Sequence, residues 1–199
     1  MARDRASRPQ AKPLRLFVAI DIPEDVRAFV ADQVAPLRER FPRARWVPTA
    51  NQHVTLKFLG TTWPRLVDWV IDGVGRVAGA HQSFDTRVAE VGAFPSPRRA
   101  RVLWVGLEDP AQRLAEIASD LNQVFADEFP AEKRAFTPHL TVARFDPPVQ
   151  LEEDLSGLIV ESRRFDVGHL VVYRSHLQRP APVYERVAAF ALGAGPEDA

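Results

Sequence analysis

Two short segments carry residue types suited to acid–base chemistry: His53-Val54-Thr55, inside Gln52 to Gly60, and His139-Leu140-Thr141, inside Pro138 to Phe145. Both segments read as strands, being rich in β-branched and apolar residues and bounded by turn formers. Alternate side chains of a strand share a face, so each histidine lies beside its threonine, about 7 Å along the chain. A phosphodiester held between two such faces would meet the groups it needs. One neutral imidazole can take a proton from water or a hydroxyl, and a protonated one can give a proton to the leaving oxygen. The unperturbed pKa of histidine, about 6.5, suits both tasks. The threonine hydroxyls can donate to the non-bridging oxygens and stabilise developing charge.

The elements around these segments follow from periodicity and punctuation. Leu14 to Ile20 is an apolar, strand-like run. Val26, Phe29, Val30, Val34, Leu37 and Phe41 recur at helical spacing, with Pro36 expected to kink or end that helix. Arg45 to Val47 leads into the first motif. Thr62 is expected to cap a helix with Pro64 in its first turn. Phe84 to Val91 and Arg101 to Leu107 are strands, and Asp109-Pro110 opens a further helix. Pro147-Pro148 is expected to break the chain after the second motif. A short helix over Glu152 to Ile159 and strands over Phe165 to Tyr173 and Val183 to Ala191 complete the series. In each half of the chain the His-x-Thr segment is the second strand. That pattern predicts an internal duplication and an α+β fold. Two pseudo-symmetric antiparallel-sheet lobes, with helices outside, would enclose a central cleft carrying both motifs. Residues 1–13 read as a disordered tail without the apolar core of a signal peptide, 14–192 as one bilobal domain, and 193–199 as a second tail.

Composition narrows the class. The chain is 46% hydrophobic and 26% charged, ordinary for a globular protein, and its formal charge is zero, so no bulk field selects nucleic acid. It has no cysteine, which excludes disulfides and thiolate metal sites and fits a reducing compartment, expected to be the cytoplasm. No apolar run reaches the ~20 residues of a membrane span. Neither motif histidine has a second ligand at a metal-binding interval, so no metal and no cofactor is expected. A monomer is the default.

Several segments together carry a family resemblance: Arg15 to Asp21, Arg45-Trp46-Val47, His53 to Gly60, Gly92-Ala93-Phe94-Pro95, Val102 to Gly106 and Pro138 to Arg144. In this order, over Leu14 to Leu192, the sequence resembles the 2H phosphoesterase superfamily. Within it, the chain is most similar to the RNA 2′,3′-cyclic phosphodiesterases, also called 2′-5′ RNA ligases. The resemblance implies metal-independent opening of a 2′,3′-cyclic phosphate at an RNA end, tRNA fragments included, to a 2′-phosphate. It also implies joining of such ends to 5′-hydroxyls as 2′-5′ linkages. By position, His53 would be the proton donor to the departing 3′ oxygen and His139 the base that activates water. Thr55 and Thr141 would hold phosphate oxygens.

Arg144 matches a family arginine that can approach the phosphate. Strict alternation instead puts it on the face of Leu140 and Val142, so it reaches the site only if the strand twists or bulges; otherwise it serves a surface ion pair. Phe58 has the same difficulty: it stacks on a base at the cleft rim, or packs in the core as alternation expects. Lys57 shares the motif face, in solvent or against RNA phosphate. Arg98, Arg99 and Arg101 form either a basic edge or a solvated hairpin tip, and Tyr173 and Tyr184 read as core or rim aromatics. Two alternatives remain: a phosphodiesterase on small cyclic or 2′-5′-linked nucleotides, and a non-catalytic RNA-binding module of the same fold. The paired titratable groups argue against the second.

Overall fold

The computed structural model describes residues 12–109, 111–132, 134–156 and 162–193. Leu16 to Ile20 are all buried, so β1 (Leu14–Asp21) is covered on both faces and lies inside the sheet. Two helices follow, α1 (Glu24–Gln33) and α2 (Ala35–Arg40), separated at Val34 just before Pro36, where a proline is tolerated in a first turn but not in a helix interior. Then come β2 (Arg45–Trp46), β3 (His53–Thr62), α3 (Val67–Ala80), β4 (Phe84–Phe94) and β5 (Ala100–Glu108). The chain ends with α4 (Arg113–Val124), β6 (His139–Val149), α5 (Glu152–Ser156), β7 (Arg164–Val167), β8 (His169–His176) and β9 (Val183–Ala191).

Helix α3 buries Val70, Val74 and Val77, a stripe at i, i+4 and i+7. Gly73 belongs in that helix because a Cβ there would stand 2.7 Å from the ring of Phe125, at the end of α4. Both carboxylate oxygens of Asp109 accept backbone N–H groups of α4, from Leu114 at 3.1 Å and Ala115 at 3.0 Å, so the expected cap acts from four residues upstream. Gln112, at φ +54°, makes the turn that allows it.

The strand order is β7-β4-β5-β6-β3-β1-β8-β9, with β2 added to β6 alone. All pairings are antiparallel. The order is symmetric about the β6–β3 junction, where one residue pair, Val54 with Leu140, joins two four-stranded lobes. The expected bilobal α+β architecture is present, but its lobes are not the halves of the chain. One lobe is β4 to β7; the other takes β1 and β3 from the N-terminal part and β8 and β9 from the C-terminal part. The crossing between them is at Gly168, which splits the single strand expected over Phe165 to Tyr173 into β7 and β8.

Two local expectations are corrected. Thr62 ends β3 and does not cap α3, which begins only after a 3₁₀ turn at Pro64–Leu66. The strand β6 runs through Pro147-Pro148 to Val149. Beyond Arg144 neither β2 nor β3 pairs with it, so the missing N–H groups interrupt no ladder on that side. The helix near Glu152 spans Glu152–Ser156, and the remainder of its expected range lies outside the described residues, as do tail residues 1–11 and 194–199. Among the described residues no helix is long and apolar enough to cross a membrane.

Candidate active site

Each motif is followed by a β-bulge at the same place. On β3, Thr55 lies opposite Ala19 and Lys57 opposite Val18, so Leu56 is an extra residue. On β6, Thr141 lies opposite Trp104 and Ala143 opposite Leu103, so Val142 is extra. An inserted residue reverses the facing of everything after it. His53 and Thr55 therefore share the cleft face with Phe58, and His139 and Thr141 share it with Arg144. Phe58 and Arg144 occupy equivalent positions in the two lobes.

This overturns the core placement expected for Phe58, which is 56% exposed and lines the cleft. The same reversal takes Lys57 off the motif face. It is 1% exposed, and its ammonium donates to Asn122 Oδ1 at 2.7 Å and to the Pro130 carbonyl at 2.8 Å. Burial lowers its pKa, against the pull of Glu132. Arg98 and Arg101 form no edge of the cleft: they pair with Glu152 and Asp146.

The cleft has a volume of about 2280 Å³ and is lined by both histidines, both threonines, Phe58 and Arg144. His53 Nδ1 lies 2.9 Å from the carbonyl of Asn51, and His139 Nδ1 lies 2.7 Å from the carbonyl of Thr137. A carbonyl only accepts, so Nδ1 carries the proton in both rings and Nε2 is left with its lone pair when the ring is neutral. His53 Nε2 is 3.1 Å from Thr55 Oγ1, which can donate to it. Phe17 stacks on His53 at 4.8 Å between ring centroids, and Tyr184 meets the same ring edge-on at 5.1 Å. Phe94 stands edge-on to His139 at 5.0 Å.

Burial among these rings lowers the pKa of both imidazoles, because the charged form loses hydration. Their neighbours differ. The Asp21 carboxylate, on the residue directly opposite His53, favours the charged form of that ring. The Arg144 guanidinium disfavours the charged form of His139. Asp21 is held by hydrogen bonds from Tyr173 Oη and Arg186. Among the described residues no group of three or more His, Cys, Asp or Glu side chains converges as a metal-ligand set.

A model of the 2′-5′ RNA ligase superfamily matches residues 23–179, most of the chain. The chain belongs to the 2′-5′ RNA ligase superfamily. It is 29% identical over 184 residues to an RNA 2′,3′-cyclic phosphodiesterase of Methanothermobacter thermautotrophicus, covering 90% of this chain and 99% of that protein. Its fold is similar to that of TT0787 of Thermus thermophilus, with a TM-score of 0.76 and 27% identity over 92% of this chain and all of that one. It is also similar to E. coli LigT crystallised with 3′-AMP, with a TM-score of 0.70 and 25% identity over the same coverage.

Within this superfamily member, several site groups have no side-chain signature that pattern reading detects. The two carbonyls that orient the histidines come from residue i−2 in each motif, and a backbone acceptor can be supplied by any residue. Asp21, Tyr173 and Phe17 gather at His53 only because β1 lies between β3 and β8. Trp104 lies opposite Thr141 and 6.1 Å from His139 between centroids, in space that Gly92 and Gly106 leave open. A Cβ on Gly92 would come within 2.2 Å of its indole. The remaining histidines do not join the cleft: His81 binds Asp120, His176 binds Glu185, and His169 is exposed.

Proposed function

We propose that this protein hydrolyses 2′,3′-cyclic phosphate ends of RNA to 2′-phosphates by metal-independent acid–base catalysis, with residues 14–192 acting as one bilobal unit. The reading rests above all on one observation: two imidazoles, each fixed through Nδ1 to a carbonyl, present Nε2 to a single cleft from two lobes. His139 Nε2 takes a proton from water as the water oxygen bonds to phosphorus. The bond from phosphorus to O3′ breaks, and His53 gives its Nε2 proton to that oxygen, leaving a 2′-phosphate and a 3′-hydroxyl. Asp21 near His53 and Arg144 near His139 bias the protons in this direction. Thr55 and Thr141 donate to the non-bridging oxygens. A 5′-hydroxyl in the place of water gives a 2′-5′ linkage by the same steps. Phe58, exposed on the cleft face, offers a stacking surface for a base, and Arg144 a charge for phosphate. A monomer in the cytoplasm fits this reading. The cleft volume favours RNA over a small cyclic nucleotide, since small-molecule sites usually measure about 300–1,000 Å³.

The test is an RNA oligonucleotide ending in a 2′,3′-cyclic phosphate, incubated in EDTA. A product bearing only a 2′-phosphate is expected. Loss of turnover restored by a divalent cation, or a 3′-phosphate product, would refute the mechanism.

The pH dependence follows from the direction of the shifts. Both histidines titrate below 6.5 in the free protein, and the working form carries one proton between them. The kcat/KM profile is therefore expected to be a bell with its maximum below pH 6.5. Bound phosphate stabilises imidazolium, so the kcat profile should sit at higher pH. A kcat/KM profile that is flat, or still rising at about pH 8, would count against paired histidines.

A further inference from the structure

Asn51, two residues before His53, is tied in three directions. Its N–H donates to the Pro48 carbonyl at 2.8 Å and closes a 3₁₀ turn over Thr49–Asn51. Its carbonyl accepts from Nδ1 of His53 at 2.9 Å. Its side-chain amide donates to the Pro182 carbonyl at 2.8 Å. A carbonyl only accepts, so the amide nitrogen is the atom that faces Pro182. Pro182 lies 131 residues further along the chain, in the loop between β8 and β9, and Leu177 to Pro182 all line the cleft. One residue therefore joins the backbone that orients His53 to a wall of the cleft.

The second motif has no such tie. The Thr137 carbonyl holds His139 Nδ1 at 2.7 Å, but among the described residues no hydrogen bond joins the Thr137 side chain to another segment. The same β8–β9 hairpin also packs on His53. Tyr184, two residues after Pro182, meets the ring edge-on at 5.1 Å, and Tyr173 on β8 lies at 6.2 Å between centroids. The titratable and charged groups around His53 are thus Asp21 on β1, His139 across the cleft, Tyr173 on β8 and Tyr184 on β9, with Arg186 of β9 bound to Asp21. Burial lowers the pKa of His53, the Asn51 carbonyl and Asp21 oppose that fall, and His139 adds to it. A lone 3₁₀ turn has poor hydrogen-bond geometry of its own, so an anchor from outside matters to where its last carbonyl points.

We propose that Asn51 is a positioning residue: its side-chain bond to Pro182 holds the Thr49–Asn51 turn so that its own carbonyl fixes the His53 ring. The inference rests on the reading above, in which His53 gives its Nε2 proton to the leaving oxygen. The amide places the turn, the turn places the carbonyl, and the carbonyl keeps the proton on Nδ1 of the neutral ring. The β8–β9 loop is thereby part of the apparatus that presents the proton donor.

Asn51→Leu and Asn51→Ala both remove the donor without adding charge beside His53, and the one that melts closer to the unaltered protein is the one to use. NMR titration of the free protein reads the two catalytic imidazoles separately. The pKa of His53 is expected to fall below its value in the unaltered protein, because the carbonyl that favours imidazolium is less well placed. That of His139, held by a different carbonyl, should stay where it was. On an RNA oligonucleotide ending in a 2′,3′-cyclic phosphate, kcat should fall roughly tenfold with KM little changed, the mark of a misplaced catalytic group. Asn51→Gln, which keeps an amide, should recover part of that rate. A shift of both histidines alike, a shift of neither, or a loss carried by KM alone would overturn the positioning role. If the unaltered protein opens no cyclic-phosphate end, the RNA-end reading itself fails. The titration then decides Asn51 alone: a fall at His53 only supports the role, and an unmoved His53 refutes it.

Discussion

Alanine at His53 or at His139 should each lower kcat on a cyclic-phosphate RNA end by about 10²–10⁴-fold, the usual contribution of a general acid or base. The two losses should not multiply in the double variant, because a site missing either proton carrier already works by its residual binding alone. Both side chains are only partly buried and neither belongs to the apolar core, so the variants should fold, and thermal melting checks this. A single choice of substrate tells the roles apart. An aryl phosphodiester has a leaving group that departs without a proton. His53→Ala should retain most of its activity on it, and His139→Ala should not. Equal losses on that substrate would reverse or abolish the assignment of His53 as the acid.

Gly92→Ala is expected to have the next largest effect, although Gly92 has no side chain with which to touch substrate. Its missing side chain is the space in which the Trp104 indole lies, and a Cβ would stand 2.2 Å from that ring. Backbone on the paired strands leaves the methyl group no room to retreat, so the indole must move. It lies close to His139, and Phe94, the other ring against that histidine, is itself 5.1 Å from Trp104. Overpacking of this kind costs about 1–3 kcal/mol in stability. Displacement of His139 should lower kcat by roughly tenfold or more, since small misplacements of catalytic groups are costly. The cost should fall on kcat more than on KM. The decisive companion is Trp104→Phe in the Gly92→Ala background, because the smaller ring frees the contested space. Recovery of kcat there would confirm that the glycine acts through the indole, and no recovery with an intact fold would refute it.

The chemistry of this protein is legible in its sequence to an uneven degree. Two His-x-Thr strands name the candidate groups that line the cleft, because alternation within three residues is reliable. Alternation over six residues is not. Counting along the strand assigns Phe58, Lys57 and Arg144 to faces, and a single inserted residue after each threonine reverses all three. No side chain advertises the bulge: Leu56 and Val142 are ordinary strand residues. The lobes are legible as a repeated pattern of elements, but not their membership. Which strands pair is decided by long-range burial, and Leu16 to Ile20 need β8 on the open side of β1 as much as they need β3. The carbonyls of Asn51 and Thr137 are out of reach for a simpler reason, since the backbone is the same at every position.

The interleaving of the lobes has a consequence for how the chain is made. During synthesis from the N-terminus, β1 and β3 emerge early and can pair with each other. The other edge of β1 must wait for Leu16 to Ala19 to meet Val171 to Arg174, which lie near the other end of the sequence. The lobe of β4 to β7 is contiguous and can close first. Until β8 and β9 leave the ribosome, the nascent protein exposes an apolar strand edge, the kind of surface that recruits chaperones or promotes aggregation. The lobe that carries His53 and Thr55 is therefore completed only once β8 and β9 have been made.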